Sequence, residues 1–271
     1  MDELIAAPAE PRAETVVADG GRVHVLSAGS GAPLLYLHGA GDLGGWLPAL
    51  GSLAGGFRVV RPDHPGFNAS DDDPAAGSIA GLADRYVQVL DVLGLDRFDL
   101  VGSSLGGWLA AELALRVPAR VGRLILVDPA GLPPEVSGPD MFAAGPEQLV
   151  VLTGGDEASL AAGRRRDAAV RADAGLSERR RRNTETAARL AREPYMHDPG
   201  LVARLAGLRT PTLIVWGALD RLFPVATAAQ WVDLLPDARL HVVDGAGHLP
   251  FVDRPDEFVA VVRDFLAGPE R

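Results

Sequence analysis

The chain contains no cysteine and no lysine. Without cysteine there are no disulfides, no thiolate metal sites and no cysteine nucleophile. All 26 basic residues are arginine, so neither a Schiff-base lysine nor the lysine of a phosphate-binding loop has a candidate. Positive charge as a whole is outnumbered: 36 acidic residues leave a formal net charge of -10, which argues against nucleic acid and anionic membranes as partners. Nowhere do 18 apolar residues run together, and residues 1–8 lack the basic start and apolar stretch of a secretory signal. A cytoplasmic location without membrane association is expected. The few histidines show no metal-ligand spacing with the carboxylates, so neither a metal nor another cofactor is expected.

What is present is an alternation of short apolar runs with helical periodicity. Buried strands are predicted at 23–26, 33–38, 57–62, 98–101, 123–128, 210–217 and 239–243, and helices at 46–53, 79–93, 108–117, 225–235 and 255–266. Strand alternating with helix in this way marks an α/β fold, a mostly parallel sheet with helices on both faces. The segment up to Glu14, rich in Ala, Pro and acid, reads as a loose tail. From 133 to 200 the strand signals stop and only helical pieces remain, which predicts a helical cap inserted between core segments 1–132 and 201–271. The arginine runs at 164–166 and 179–182 in that insertion read as solvated faces, with the holding of an anionic substrate as the alternative.

Three positions carry chemistry. Gly102-Ser103-Ser104-Leu105-Gly106, between a predicted strand and a predicted helix, has the spacing of a nucleophile elbow: the glycines allow a sharp turn that throws Ser104 clear of the sheet at a helix N-terminus. Asp220 and His248 follow the last two strands, on the rim where loops at the carboxyl ends of parallel strands converge. A serine hydroxyl needs an imidazole to take its proton, and that ring needs a carboxylate to hold its tautomer, so Ser104, Asp220 and His248 are the candidate triad. Asp128, also at a strand end, is the alternative acid. In the turn His38-Gly39-Ala40-Gly41, the N–H of Ala40 would join that of Leu105 as an oxyanion hole, with His38 supporting the turn.

With the segments 37–41, 61–66, 101–107, 217–220 and 245–250, the chain resembles the α/β-hydrolase superfamily. The resemblance runs from residue 34 to the closing helix and implies the α/β-hydrolase fold and a Ser-His-Asp mechanism. The region from Ser104 to Leu132 is similar to hydrolases of meta-ring-fission products. Those enzymes typically have Gly-Pro-Gly in the oxyanion loop and Trp after the histidine, where this chain has Gly41-Asp42-Leu43 and Leu249. An epoxide hydrolase or haloalkane dehalogenase would need Asp at the elbow. The leading expectation is hydrolysis of a small carboxylic ester or lactone through an acyl-enzyme. Carbon–carbon cleavage of a diketone-like substrate is the first alternative, and a small-molecule receptor on a hydrolase scaffold is the reading from another class. The expected partner is a small-molecule substrate, with a homo-oligomer left open. Phe142, Leu149 and Tyr195 of the cap, with Phe223 and Leu249 of the core, are the candidate pocket; Met141 and Met196 are further large apolar cap residues.

Overall fold

A hairpin opens the chain and leads into the sheet. The computed structural model describes residues 10–133 and 139–268. Strand β1 (Arg12–Ala18) turns through Asp19 and Gly20 into β2 (Gly21–Ala28), antiparallel, with Ala18 opposite Gly21. Residues 12–14 therefore belong to an edge strand and not to a loose tail, while residues 1–9 lie outside the described residues. The physical reason was local. A two-residue Asp-Gly connection between alternating segments favours a tight hairpin, and Gly20 takes a φ of 106° that a side chain would resist.

The chain continues through β3 (Pro33–Leu37), α1 (Pro48–Leu53), β4 (Arg58–Pro62), α2 (Ile79–Val92), β5 (Phe98–Ser103), α3 (Leu105–Arg116) and β6 (Val121–Val127). After the inserted helices α4 (Pro146–Thr153), α5 (Glu157–Ala172) and α6 (Ala174–Ala191) come α7 (Leu201–Leu205), β7 (Thr212–Gly217), α8 (Thr227–Leu234), β8 (Ala238–Val243), α9 (Pro250–Asp253) and α10 (Pro255–Ala267). The described strands form one eight-stranded sheet in the order β1-β2-β4-β3-β5-β6-β7-β8. The pairs β1/β2 and β2/β4 are antiparallel, and from β4 through β8 all neighbours are parallel.

Side chains of the central strands divide between two cores with a period of two, as a sheet covered on both faces requires. In β3, Leu35 and Leu37 join Leu82 and Tyr86 of α2 and Leu109 of α3. Leu34 and Tyr36 join Leu50 and Leu53 of α1 with Phe258 and Val262 of α10 on the opposite face. Local signals set the helix ends: Ser78 caps α2 by accepting the Gly81 N–H at 3.0 Å, and Gly94, just past its end, takes a φ of 62°. The result is the expected α/β-hydrolase fold with an inserted helical region.

The inserted helices do not present all their arginines to water. Arg181 of α6 matches the solvated-face expectation, pairing with Glu178 and Glu185 on its own exposed face. Two neighbours on the same helix do not. Arg179 donates to the Leu43 carbonyl at 2.8 Å, and Arg182 to the carbonyls of Asn68 and Ser70 at 2.7 and 2.6 Å. Four consecutive arginines must point around the whole circumference of a helix, so some of them face the core.

Candidate active site

Ser104 sits where β5 gives way to α3, with φ 55° and ψ -121°. This is a strained backbone for a residue with a side chain, and the surroundings leave it little alternative. Its N–H is bonded to the Val127 carbonyl at 2.9 Å, and its own carbonyl accepts from Gly107 and Ala130 at 2.9 and 3.1 Å. The elbow glycines are required by close approach. A Cβ on Gly102 would come within 2.2 Å of the Gly106 carbonyl oxygen, and one on Gly106 within 2.2 Å of the Leu37 carbonyl oxygen.

The parallel register of β6, β7 and β8 brings the two partners to the same rim. His248 Nε2 lies 2.8 Å from Ser104 Oγ, and His248 Nδ1 lies 2.7 Å from Asp220 Oδ2. The other Asp220 oxygen accepts the N–H groups of Leu222 and Phe223 at 2.8 and 3.0 Å. Three donors thus converge on one carboxylate. That in turn fixes the ring with its proton on Nδ1 and a lone pair on Nε2 facing the hydroxyl. The three residues are 4, 5 and 3 % exposed for Ser104, Asp220 and His248, so the proton path is shielded from bulk water.

Beneath Ser104 on its other side, two further histidines hold the turn after β3. Their rings stack at 3.8 Å between centroids. His38 Nδ1 donates to the Gly39 carbonyl at 2.9 Å while its Nε2 accepts the His64 N–H at 3.1 Å. His64 Nε2 donates to the His38 carbonyl at 2.9 Å, and its Nδ1 accepts from the Tyr86 hydroxyl. Each ring has one donor and one acceptor in use, the pattern of neutral imidazole. Burial, reinforced by the Arg61 charge, lowers His38 to about 3, and burial keeps His64 well below the usual range as well. A Cβ on Gly39 would lie 3.2 Å from Ser104 Cβ, so this turn passes directly across the nucleophile. The turn is closed by the Asp42 N–H to the Gly39 carbonyl, and the N–H groups of Ala40 and Leu105 have no acceptor among the described residues.

Asp128 lies at the end of β6 with φ 42° and is fully buried. It does not hold the imidazole; its Oδ1 accepts the Gly217 N–H at 3.0 Å instead. Asp128, Asp220 and His248 each offer one ligand atom within 4.8 Å of the others, the type of cluster that could bind a cation. In this structure both ring nitrogens of His248 are hydrogen-bonded, Nδ1 to Asp220 and Nε2 to Ser104.

Of the five pocket candidates, Phe223 meets the triad directly, its ring edge-on to His248 at 5.2 Å. Phe142 and Tyr195 form an edge-on pair at 5.9 Å, and the Tyr195 hydroxyl bonds the Pro139 carbonyl and the Met141 N–H at 3.1 and 3.0 Å. Leu149 on α4 and Leu249 beside His248 are half-buried. Met141 is half-buried too, whereas Met196 is buried.

Sequence reasoning missed what holds the triad loops from above. The His248 N–H donates to the carbonyl of Thr153, the last residue of α4, at 2.9 Å, and the Asp156 N–H donates to the Gly245 carbonyl at 3.0 Å. The doublet Gly154-Gly155 was the available signal. A Cβ on Gly155 would fall 2.2 Å from the Gly245 carbonyl oxygen, so only bare backbone permits this approach. Asn183 of α6 was missed as well: it is buried, donates to the Asp42 carbonyl at 2.7 Å and accepts the Asn68 N–H at 2.9 Å.

Comparison with known proteins places this geometry. Residues 34–261 match the model of the Alpha/beta hydrolase family. The chain is 33 % identical over 267 residues to a 2-hydroxy-6-oxo-6-phenylhexa-2,4-dienoate hydrolase of Burkholderia cepacia, covering 91 % of this chain and 92 % of that one. It is 30 % identical over 274 residues to a 2-hydroxy-6-oxononadienedioate/2-hydroxy-6-oxononatrienedioate hydrolase of Comamonas testosteroni, again covering 91 % and 92 %. Among solved structures, the 2-hydroxy-6-oxo-6-phenylhexa-2,4-dienoate hydrolase of Rhodococcus sp. strain RHA1 superimposes with a TM-score of 0.79 at 23 % identity, over 96 % of this chain and all of that one; at that identity the likeness establishes the fold.

Proposed function

We propose, from the premise that the chain belongs to the alpha/beta hydrolase family, that it is a serine hydrolase cleaving the carbon–carbon bond beside the ketone of a dienoate-type substrate. The observation that carries the reading is the full-length similarity to hydrolases of such substrates in a chain whose Ser104, His248 and Asp220 stand in bonded order. This replaces simple ester hydrolysis as the leading reading.

The chemistry follows from the groups in place. Ser104 Oγ adds to the ketone carbon as its proton passes to His248 Nε2, and the oxyanion takes the free N–H groups of Ala40 and Leu105. The carbon–carbon bond then breaks with its electron pair leaving on the conjugated fragment. With the substrate in its keto tautomer, protonated at the carbon beside the ketone, the pair is delocalised as a dienolate, which collects the proton from His248. Water, activated by His248, hydrolyses the remaining acyl-enzyme. One water is consumed, and an enol and a carboxylic acid are released.

A carboxylic ester or lactone is the second reading, and one observation favours it. Arg179, Arg182 and Arg221 all donate to backbone carbonyls and are engaged there. A neutral ester requires no cation. Initial rates on a 6-phenyl dienoate and on a neutral aryl ester separate the readings: kcat/KM should be at least about 10²-fold higher for the dienoate. A preference for the ester of that size would overturn carbon–carbon cleavage. Ser104→Ala should remove either activity by roughly 10⁶-fold in kcat, and retention of near-normal turnover would overturn both.

A further inference from the structure

Asp128 is a buried titratable group beside the triad that the proposed chemistry leaves without a task. The register Val127↔Val215 sets the ends of β6 and β7 side by side, which delivers Asp128 next to the loop bearing Asp220. The main chain of Asp128 is fixed by its N–H to the Val215 carbonyl at 3.0 Å, and Oδ1 is occupied by the Gly217 N–H. Its Oδ2 is buried and has no hydrogen-bond partner among the described residues. A carboxylate oxygen in that state would be costly, and the positive φ of the residue adds strain. A site that retains both has placed the carboxyl for a reason.

We propose that Asp128 is a positioning residue for the triad acid, a neutral carboxylic acid whose Oδ2 hydroxyl faces the Asp220 carboxylate and holds it in line with His248. The proposal rests on the reading of Ser104, His248 and Asp220 as the reacting triad. Two carboxyl groups this close in a buried site cannot both ionise, so one keeps a proton. The donor count decides which. Asp220 receives two N–H bonds and the imidazole, whereas Asp128 receives one N–H. The proton therefore resides on Asp128, the carboxyl with the fewer donors. Burial, and then the charge of Asp220, push the Asp128 carboxyl well above the usual range; Asp253, whose Oδ2 accepts the Gly247 N–H, pushes in the same direction. His248 is the remaining titratable group of the cluster.

The test uses the whole chain. Infrared spectra of the wild-type protein at about pH 7.5 should contain the carbonyl stretch of a protonated carboxyl, a form ordinary Asp side chains have lost at that pH. The band should vanish in Asp128→Asn. Because the amide keeps one donor and one acceptor, Asp128→Asn should retain kcat/KM within about threefold, with the acid limb of its pH profile unmoved. Asp128→Ala, which leaves Asp220 without this support, should lower kcat by about tenfold or more with KM unchanged. A wild-type spectrum without the band overturns the proposal even if neither variant folds. So does an acid limb displaced to lower pH in Asp128→Asn, which would mean that a charge had been removed, and so does an Asp128→Ala variant with wild-type kcat. A wild-type protein that shows the band but hydrolyses nothing removes the triad reading instead, and the positioning role with it.

Discussion

The two flanks of Ser104 are built from different materials. On the flank after β3 and β4, the Ala40 N–H is bare backbone with no acceptor among the described residues, and the side chains behind it, His38, His64 and Tyr86, are neutral and paired with one another. On the flank after β6, β7 and β8, the groups are the His248 imidazole, bonded to both Ser104 and Asp220, and the carboxyls of Asp220 and Asp128. A helix of the insertion ties each flank down: α6 through Asn183 to the Asp42 carbonyl, α4 through Thr153 to the His248 N–H. Stabilising a transient negative charge requires fixed dipoles that do not respond to pH, whereas moving a proton requires a group that does. Histidine stands on both flanks of this one site, and the bonding of its two nitrogens differs between them.

The contrast is broken most sharply on the charged flank. Asp220→Asn keeps the shape but presents an amide N–H where the Nδ1 proton should be accepted, favouring the wrong imidazole tautomer. A loss in kcat on the order of 10⁴-fold is expected from steady-state rates, with a melting curve little changed. The same change at Asp128 should cost far less, and the reverse ranking would reassign the acid.

On the neutral flank the effect should be smaller and should appear in stability as well as rate. His38→Gln should lower kcat by about 10- to 10²-fold by displacing the oxyanion turn, without moving the acid limb of the profile. The stability sign follows from proton uptake. An unfolded histidine gains a proton below about pH 6.5, but native His38, lowered to about 3, does not. Between those values the unfolded state binds more protons, so this contribution to stability falls as pH drops. The midpoint of thermal unfolding should therefore decrease from about pH 7.5 to about pH 5, and less steeply in His38→Gln. An equal slope in both proteins would show that His38 is not held neutral.

The smallest effect belongs to the inserted region. Tyr195→Phe removes bonds to Pro139 and Met141 and should cost about 1 kcal/mol in unfolding free energy. Relative kcat/KM across substrates with small and large acyl groups should shift by a few-fold if the Phe142–Tyr195 pair shapes the pocket. A change in stability with unaltered selectivity would make that pair structural cover.

The elements that were legible in the sequence are those whose cause is local. The elbow is readable because Gly102 and Gly106 must be glycine wherever a strand turns that sharply into a helix, and the core strands are readable because burial on both faces leaves nearly continuous apolar runs. The order of Ser104, Asp220 and His248 along the chain, each just past a strand, is enough to nominate the triad. The hairpin at Asp19-Gly20 was also local and went unread, because one exposed strand carries little apolar signal.

Tertiary structure alone decided the rest. That α6 turns Arg179 and Arg182 to the core while Arg181 stays in water depends on where the helix lies, and the Arg182 contact with Asn68 joins positions 114 residues apart. The same holds for Thr153 on His248 and for the stacking of His38 with His64, contacts whose partners carry no mark of each other. Asp128 is the clearest case. Its residue type and strand end suggested an alternative acid, and only the adjacency of β6 and β7, with three donors on Asp220 and one on Asp128, separates the carboxyl that holds the imidazole from its neighbour. Sequence determines which groups are available and which backbone can turn; the protonation each group adopts is set by the neighbours that the sheet order brings within a few ångströms.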